Sequence, residues 1–118
     1  MLRVFTYLRC ASGRPAPGAD VDPFGPWFEA HPYATRGADF DDLGVSGLTL
    51  PDRRPGFAAL LAAMDADKPD FILVYSWACL GRSPLVSSFA RHLIDRRGVD
   101  LLSVDAPASV GAGALILA

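Results

Sequence analysis

Leu2-Arg3-Val4-Phe5-Thr6-Tyr7-Leu8-Arg9-Cys10-Ala11-Ser12 is the stretch that decides the fold. Leu2 to Leu8 reads as a buried strand, with Leu2, Val4, Phe5, Tyr7 and Leu8 all apolar or aromatic. A strand covered on both faces carries such a near-continuous apolar run. An arginine, a cysteine and a serine follow where the run gives out. Ligand sites in open parallel sheets lie at the carboxyl ends of the strands, so these polar residues fall where a site is expected.

Outward from that strand, the rest of the chain alternates in the same way. A helix is expected from Pro55, with Phe57, Leu60, Leu61 and Met64 on one apolar face at the i, i+3, i+4, i+7 spacing. Proline suits its first position, where its fixed φ helps and its missing donor costs nothing. Asp65 to Pro69 ends this helix and leads into a second apolar strand, Phe71–Tyr75. Ser83-Pro84 is another cap-plus-proline start. It opens a helix whose broad apolar stripe is Leu85, Val86, Phe89, Ala90, Leu93 and Ile94. Gly98 closes that helix, preceded by Arg96-Arg97, which complement its dipole. Val99–Val104 is a further strand, and Ala38–Asp42 a short one before the loop Gly44-Val45-Ser46-Gly47, where Ser46 shapes the turn.

Between residues 11 and 35 the prolines at 15, 17, 23, 26 and 32 forbid a long helix. Only a short one fits, near Trp27–Ala30, with Trp27 and Phe28 packing on the core. The tail from Asp105 is small and apolar and has room only to begin a helix at Leu115. Strand, helix, strand, helix, strand implies right-handed crossovers and a parallel sheet with helices on its faces. That order puts Arg9, Cys10 and Ser12 in one crevice with Trp77, Cys79 and Arg82.

Composition bounds what such a domain can be. The 118 residues support one hydrophobic core, and 51% hydrophobic with 20% charged residues fits a soluble globular chain. No apolar run is long enough to span a membrane and no signal peptide opens the chain, so a cytoplasmic location is expected. The net charge of −2 is unusual for a free-standing DNA binder, although Arg53-Arg54 and Arg91 to Arg97 form local basic clusters. Two cysteines, Cys10 and Cys79, and two distant histidines offer no ligand spacing; neither a structural metal nor a cofactor is expected.

Five segments in order along the chain resemble the catalytic domain of the serine recombinase (resolvase/invertase) family. They are Tyr7-Leu8-Arg9; Asp42-Leu43-Gly44-Val45-Ser46-Gly47; Arg53-Arg54-Pro55-Gly56-Phe57; Tyr75-Ser76-Trp77-Ala78-Cys79-Leu80-Gly81-Arg82-Ser83; and Gly98 to Val104. The resemblance implies a three-layer α/β domain with a mainly parallel central sheet flanked by helices. It also implies a single catalytic-type domain over 1–118, truncated before the family's dimerisation helix and DNA-binding domain.

The family reaction displaces a DNA 3′-oxygen with a serine oxygen under a cluster of arginines. Carried over residue by residue, Arg9, Arg54 and Arg82 are the arginines expected to meet the DNA phosphate. The serine's own position is filled by Ala11, and the family's Asp-Arg pair by Ala78-Cys79. A preorganised guanidinium contributes roughly two to three orders of magnitude in rate, and a methyl group cannot form a phosphoserine bond. The expectation is a recombinase-type domain that no longer cleaves.

Two alternatives stay open: an active recombinase using Ser12, one residue along, or a non-catalytic module binding phosphate or a partner. Arg54 also has a plain reading, as a surface arginine at a helix start. Cys10 and Cys79 are read as buried small residues, with an activated thiol as the alternative. The partners implied are DNA, and a homo-oligomer or a hetero-oligomer with an active recombinase.

Overall fold

The computed structural model describes residues 1–10 and 22–105. Ala11 and Ser12, and the tail with Leu115, lie outside the described residues. Four strands form one all-parallel sheet in the order β2-β1-β3-β4: β1 (Leu2–Cys10), β2 (Ala34–Leu43), β3 (Phe71–Val74) and β4 (Asp100–Ser103). Helix α1 (Gly25–Ala30) connects β1 to β2, α2 (Pro55–Ala66) connects β2 to β3, and α3 (Pro84–Asp95) connects β3 to β4.

The layers follow from strand alternation. Val4 on β1, with Phe71 and Leu73 on β3, packs against Phe24 and Trp27 of the α1 segment. Phe5 and Tyr7 on β1, with Ile72 and Val74, face Phe57, Leu60, Leu61 and Met64 of α2 and Ala90 and Ile94 of α3. The result is the expected three-layer α/β arrangement. Connections run outward in one direction from β1 and in the other from β3, so the crevice where the order reverses lies at the carboxyl ends of those two strands.

Several boundaries differ from the sequence expectation for identifiable reasons. Strand β2 begins at Ala34 rather than Ala38, and its first half is polar because it is an edge strand. It also carries a bulge: Val4 pairs with Arg36 but Thr6 with Asp39, so β2 spends one extra residue near Gly37 and Ala38. On α3 only Val86, Ala90 and Ile94 are fully buried, whereas Leu85, in its first turn, is 79% exposed. Ser83 caps α3 as expected, its Oγ accepting from the Val86 N–H at 3.1 Å. Helix α3 then ends before Gly98, which takes the left-handed φ of +69°. Two short 3₁₀ turns, Pro51–Arg53 and Trp77–Cys79, lead into the regions that build the site.

Candidate active-site crevice

Three loops meet at the carboxyl end of the sheet: the end of β1, the 44–50 loop after β2, and the Trp77–Arg82 turn after β3. Two arginines bind them together. Arg9 reaches the backbone carbonyls of Val45 at 3.1 Å, Ala78 at 2.7 Å and Cys79 at 3.3 Å. Arg54 donates to the carbonyls of Thr49 at 3.1 Å, Cys79 at 3.2 Å and Leu80 at 2.8 Å. Each guanidinium therefore bridges the 45–49 loop to the 78–80 turn, and both share the Cys79 carbonyl. Arg9 is 8% exposed and Arg54 fully buried.

The plain reading of Arg54 as a surface helix-start arginine is corrected by this geometry. Its backbone does sit at the start of α2, but its side chain turns inward. A buried guanidinium is tolerated only when its donors are met, and the carbonyls left unpaired by the 78–80 turn meet them.

Arg82 differs. It is exposed, and its guanidinium has no hydrogen-bond partner among the described residues. Its backbone N–H donates to the Gly47 carbonyl at 2.9 Å, and its stem lies across Gly47 so closely that a Cβ there would come within 2.1 Å of Arg82 Cγ. Ser46 shapes this loop, accepting from the Leu48 N–H at 3.1 Å. Of the expected site residues, the structure gathers Arg9, Arg54 and Arg82 around the same pair of loops. Ser12 lies outside the described residues.

Cys79 is buried, with its thiol 3.8 Å from the Arg9 carbonyl, and Ala78 and Cys79 offer the crevice only their carbonyl oxygens. Trp77 is half-buried beneath the Arg91 guanidinium, 4.4 Å from its ring centroid.

The sequence reading missed the role of Asp42. This buried carboxylate, near the end of β2, accepts from the Gly56 N–H at 2.6 Å, the Phe57 N–H at 2.9 Å and the Tyr7 hydroxyl at 2.6 Å. Burial first, and the bond to Asp42 second, push the Tyr7 hydroxyl far above its ordinary range, so it stays a neutral donor. Arg54 Nη1 lies 3.5 Å from the same hydroxyl. A signal was present: α2 starts Arg54-Pro55-Gly56 with no local side-chain cap, so its free N–H groups need an acceptor from elsewhere.

Away from the crevice, Asp22 pairs with Arg36, which also pairs with Asp39 and lies against the rings of Phe24 and Phe28. Among the described residues no cluster of histidine, cysteine and carboxylate side chains could hold a metal, and no helix is long and apolar enough to cross a membrane.

Known proteins share this fold. The N-terminal catalytic domain of TP901-1 integrase is similar in structure, with a TM-score of 0.75 at 24% identity over 98% of this chain and 88% of that one. The C-terminal catalytic domain of ISC1926 TnpA, an IS607-like serine recombinase, has a TM-score of 0.67 at 16% identity, covering 98% and 76%. The first open reading frame of transposon ISC1904 from Sulfolobus solfataricus P2 has a TM-score of 0.60 at 16% identity, covering 97% and 75%. No curated protein sequence matches significantly. These likenesses show the fold, including β1. The model of the family described as "Resolvase, N terminal domain" matches residues 27–117, most of the chain, though not the Tyr7–Ser12 stretch. With the arginine-bridged crevice on this fold, the match identifies the chain as a member of the resolvase N-terminal domain family, a serine recombinase-type domain.

Proposed function

We propose that this domain keeps the serine recombinase architecture without cleaving DNA, and acts at DNA through Arg82 and through an oligomeric partner of the same family. The observation that carries the reading is the commitment of Arg9 and Arg54 to backbone carbonyls. Two of the three guanidiniums expected at a phosphate are already occupied by the 45–49 and 78–80 segments. Of these three, Arg82 alone is exposed, with no hydrogen-bond partner for its guanidinium among the described residues.

Sequence chemistry supports the same conclusion. Phosphodiester transfer needs a nucleophilic oxygen that takes the phosphorus while the DNA oxygen leaves, and Ala11 has none. Ala78 and Cys79, in place of the family's Asp-Arg pair, remove a carboxylate and a further cation. In this reading Arg9 and Arg54 shape the crevice, Arg82 contacts a DNA phosphate, and the protein works in the cytoplasm.

A nicked suicide DNA substrate, which traps covalent protein–DNA adducts, tests the proposal. No adduct is expected from the wild-type chain, whereas an adduct at any residue overturns the reading. An adduct lost on Ser12→Ala would instead assign Ser12 as the nucleophile.

A further inference from the structure

We propose that Asp42 is the positioning residue of the crevice, setting the buried Arg54 guanidinium through the N-terminus of α2 and the hydroxyl of Tyr7. The inference concerns how the site is built and does not depend on whether it cleaves DNA.

Arg54 occupies the position where a helix ordinarily carries a serine, threonine or aspartate cap, and its side chain makes no cap. Asp42 supplies the missing acceptor from another strand. Its Oδ1 takes the Gly56 N–H at 2.6 Å and its Oδ2 the Phe57 N–H at 2.9 Å. Those bonds fix the backbone immediately after Arg54, and the positive end of α2 favours the negative charge there. Gly56 is required for the approach, because a Cβ would fall 2.0 Å from the Asp41 carbonyl oxygen and 2.8 Å from Asp42 Oδ1.

The second route runs through Tyr7. Its hydroxyl has one proton, and Asp42 Oδ2 at 2.6 Å takes it. The oxygen's lone pairs are thereby turned toward Arg54 Nη1, 3.5 Å away. Without the carboxylate the hydroxyl is free to rotate its proton toward the cation. Arg54 in turn holds the Cys79 and Leu80 carbonyls, so Asp42 governs the turn that presents Arg82, although no direct Asp42 bond reaches that turn.

Side-chain Nε–Hε hydrogen exchange of the folded protein, followed by NMR, separates positioning from simple helix capping. The Nε–H groups of Arg54 and Arg9, bonded to the Thr49 and Cys79 carbonyls, are expected to exchange slowly. In Asp42→Asn and in Tyr7→Phe, Arg54 is expected to exchange roughly fivefold faster or more, the factor that loss of one net hydrogen bond gives, while Arg9 stays unchanged. A capping role alone would lower the melting temperature of Asp42→Asn and leave Arg54 protection intact in the folded protein. Unchanged Arg54 exchange in both variants overturns the proposal. Should Asp42→Asn fail to fold, unchanged exchange in Tyr7→Phe overturns it alone.

Discussion

Arg54 is the residue on which the described crevice most depends. Truncating it to methionine leaves the Thr49 carbonyl and the buried Leu80 carbonyl without their donor, and the buried Cys79 carbonyl with Arg9 alone. Such a loss costs about 3–5 kcal/mol, measurable by denaturant unfolding; Arg54→Lys should recover little, because an ammonium cannot reproduce the planar fork. Tyr7 makes a distinct prediction in alkali. Its folded-state value lies above its ordinary value of 10.0, so the folded protein holds this proton more tightly than the unfolded chain. That contribution is fully present below about pH 10 and is lost as pH rises beyond it. Unfolding free energy measured between pH 9 and 11 should therefore fall less steeply for Tyr7→Phe than for wild type.

At the scale of elements, the sequence was most legible where a signal is local. Helices α2 and α3 begin at their prolines as expected, and Ser83 caps α3 through a bond three residues away. Ser83→Ala should cost about 1 kcal/mol in thermal or chemical unfolding. The cap of α2 was not legible, because its acceptor lies 14 residues earlier on another element. A helix starting Arg-Pro-Gly states only that some acceptor is needed. Gly56→Ala should be more costly than Ser83→Ala, by about 1–3 kcal/mol, because backbone rather than a flexible side chain stands in the way. Leu85 shows the opposite limit of pattern reading. Its helical spacing matches the apolar stripe, but the buried line of α3 runs through Val86, Ala90 and Ile94, and Leu85 falls on the flank of that line with half-buried Phe89 and Leu93. The inward turn of Arg9 and Arg54 was equally hidden, since sequence motifs specify a guanidinium but not the carbonyls it finds.

Across the whole molecule, five collinear motifs and the alternation of strands and helices were enough to reach the three-layer fold, because order along the chain determines crossover handedness and layering. What order could not convey is the phase of β2. Ala34 and Arg36 lie on the α1 side of the sheet, Arg36 against Phe24 and Phe28. Strict alternation would send residues 38, 40 and 42 to that same side. The extra residue at the bulge reverses the count: Asp39 joins Thr6 on the α1 side, while Phe40 meets Phe5 and Asp42 reaches α2 on the other. Taking up that surplus residue as a bulge, and not in line, thus keeps the carboxylate on the α2 layer. Inserting one residue between Phe40 and Asp41 should turn Asp42 away from Gly56, Phe57 and Tyr7 and lower the melting temperature far more than deleting Ala38, which only makes the ladder regular and leaves Asp39 opposite Thr6. For this edge strand, chain length between two points is a heritable quantity as binding as any side chain, and a single-codon insertion past the bulge would act at a distance as a loss of Asp42.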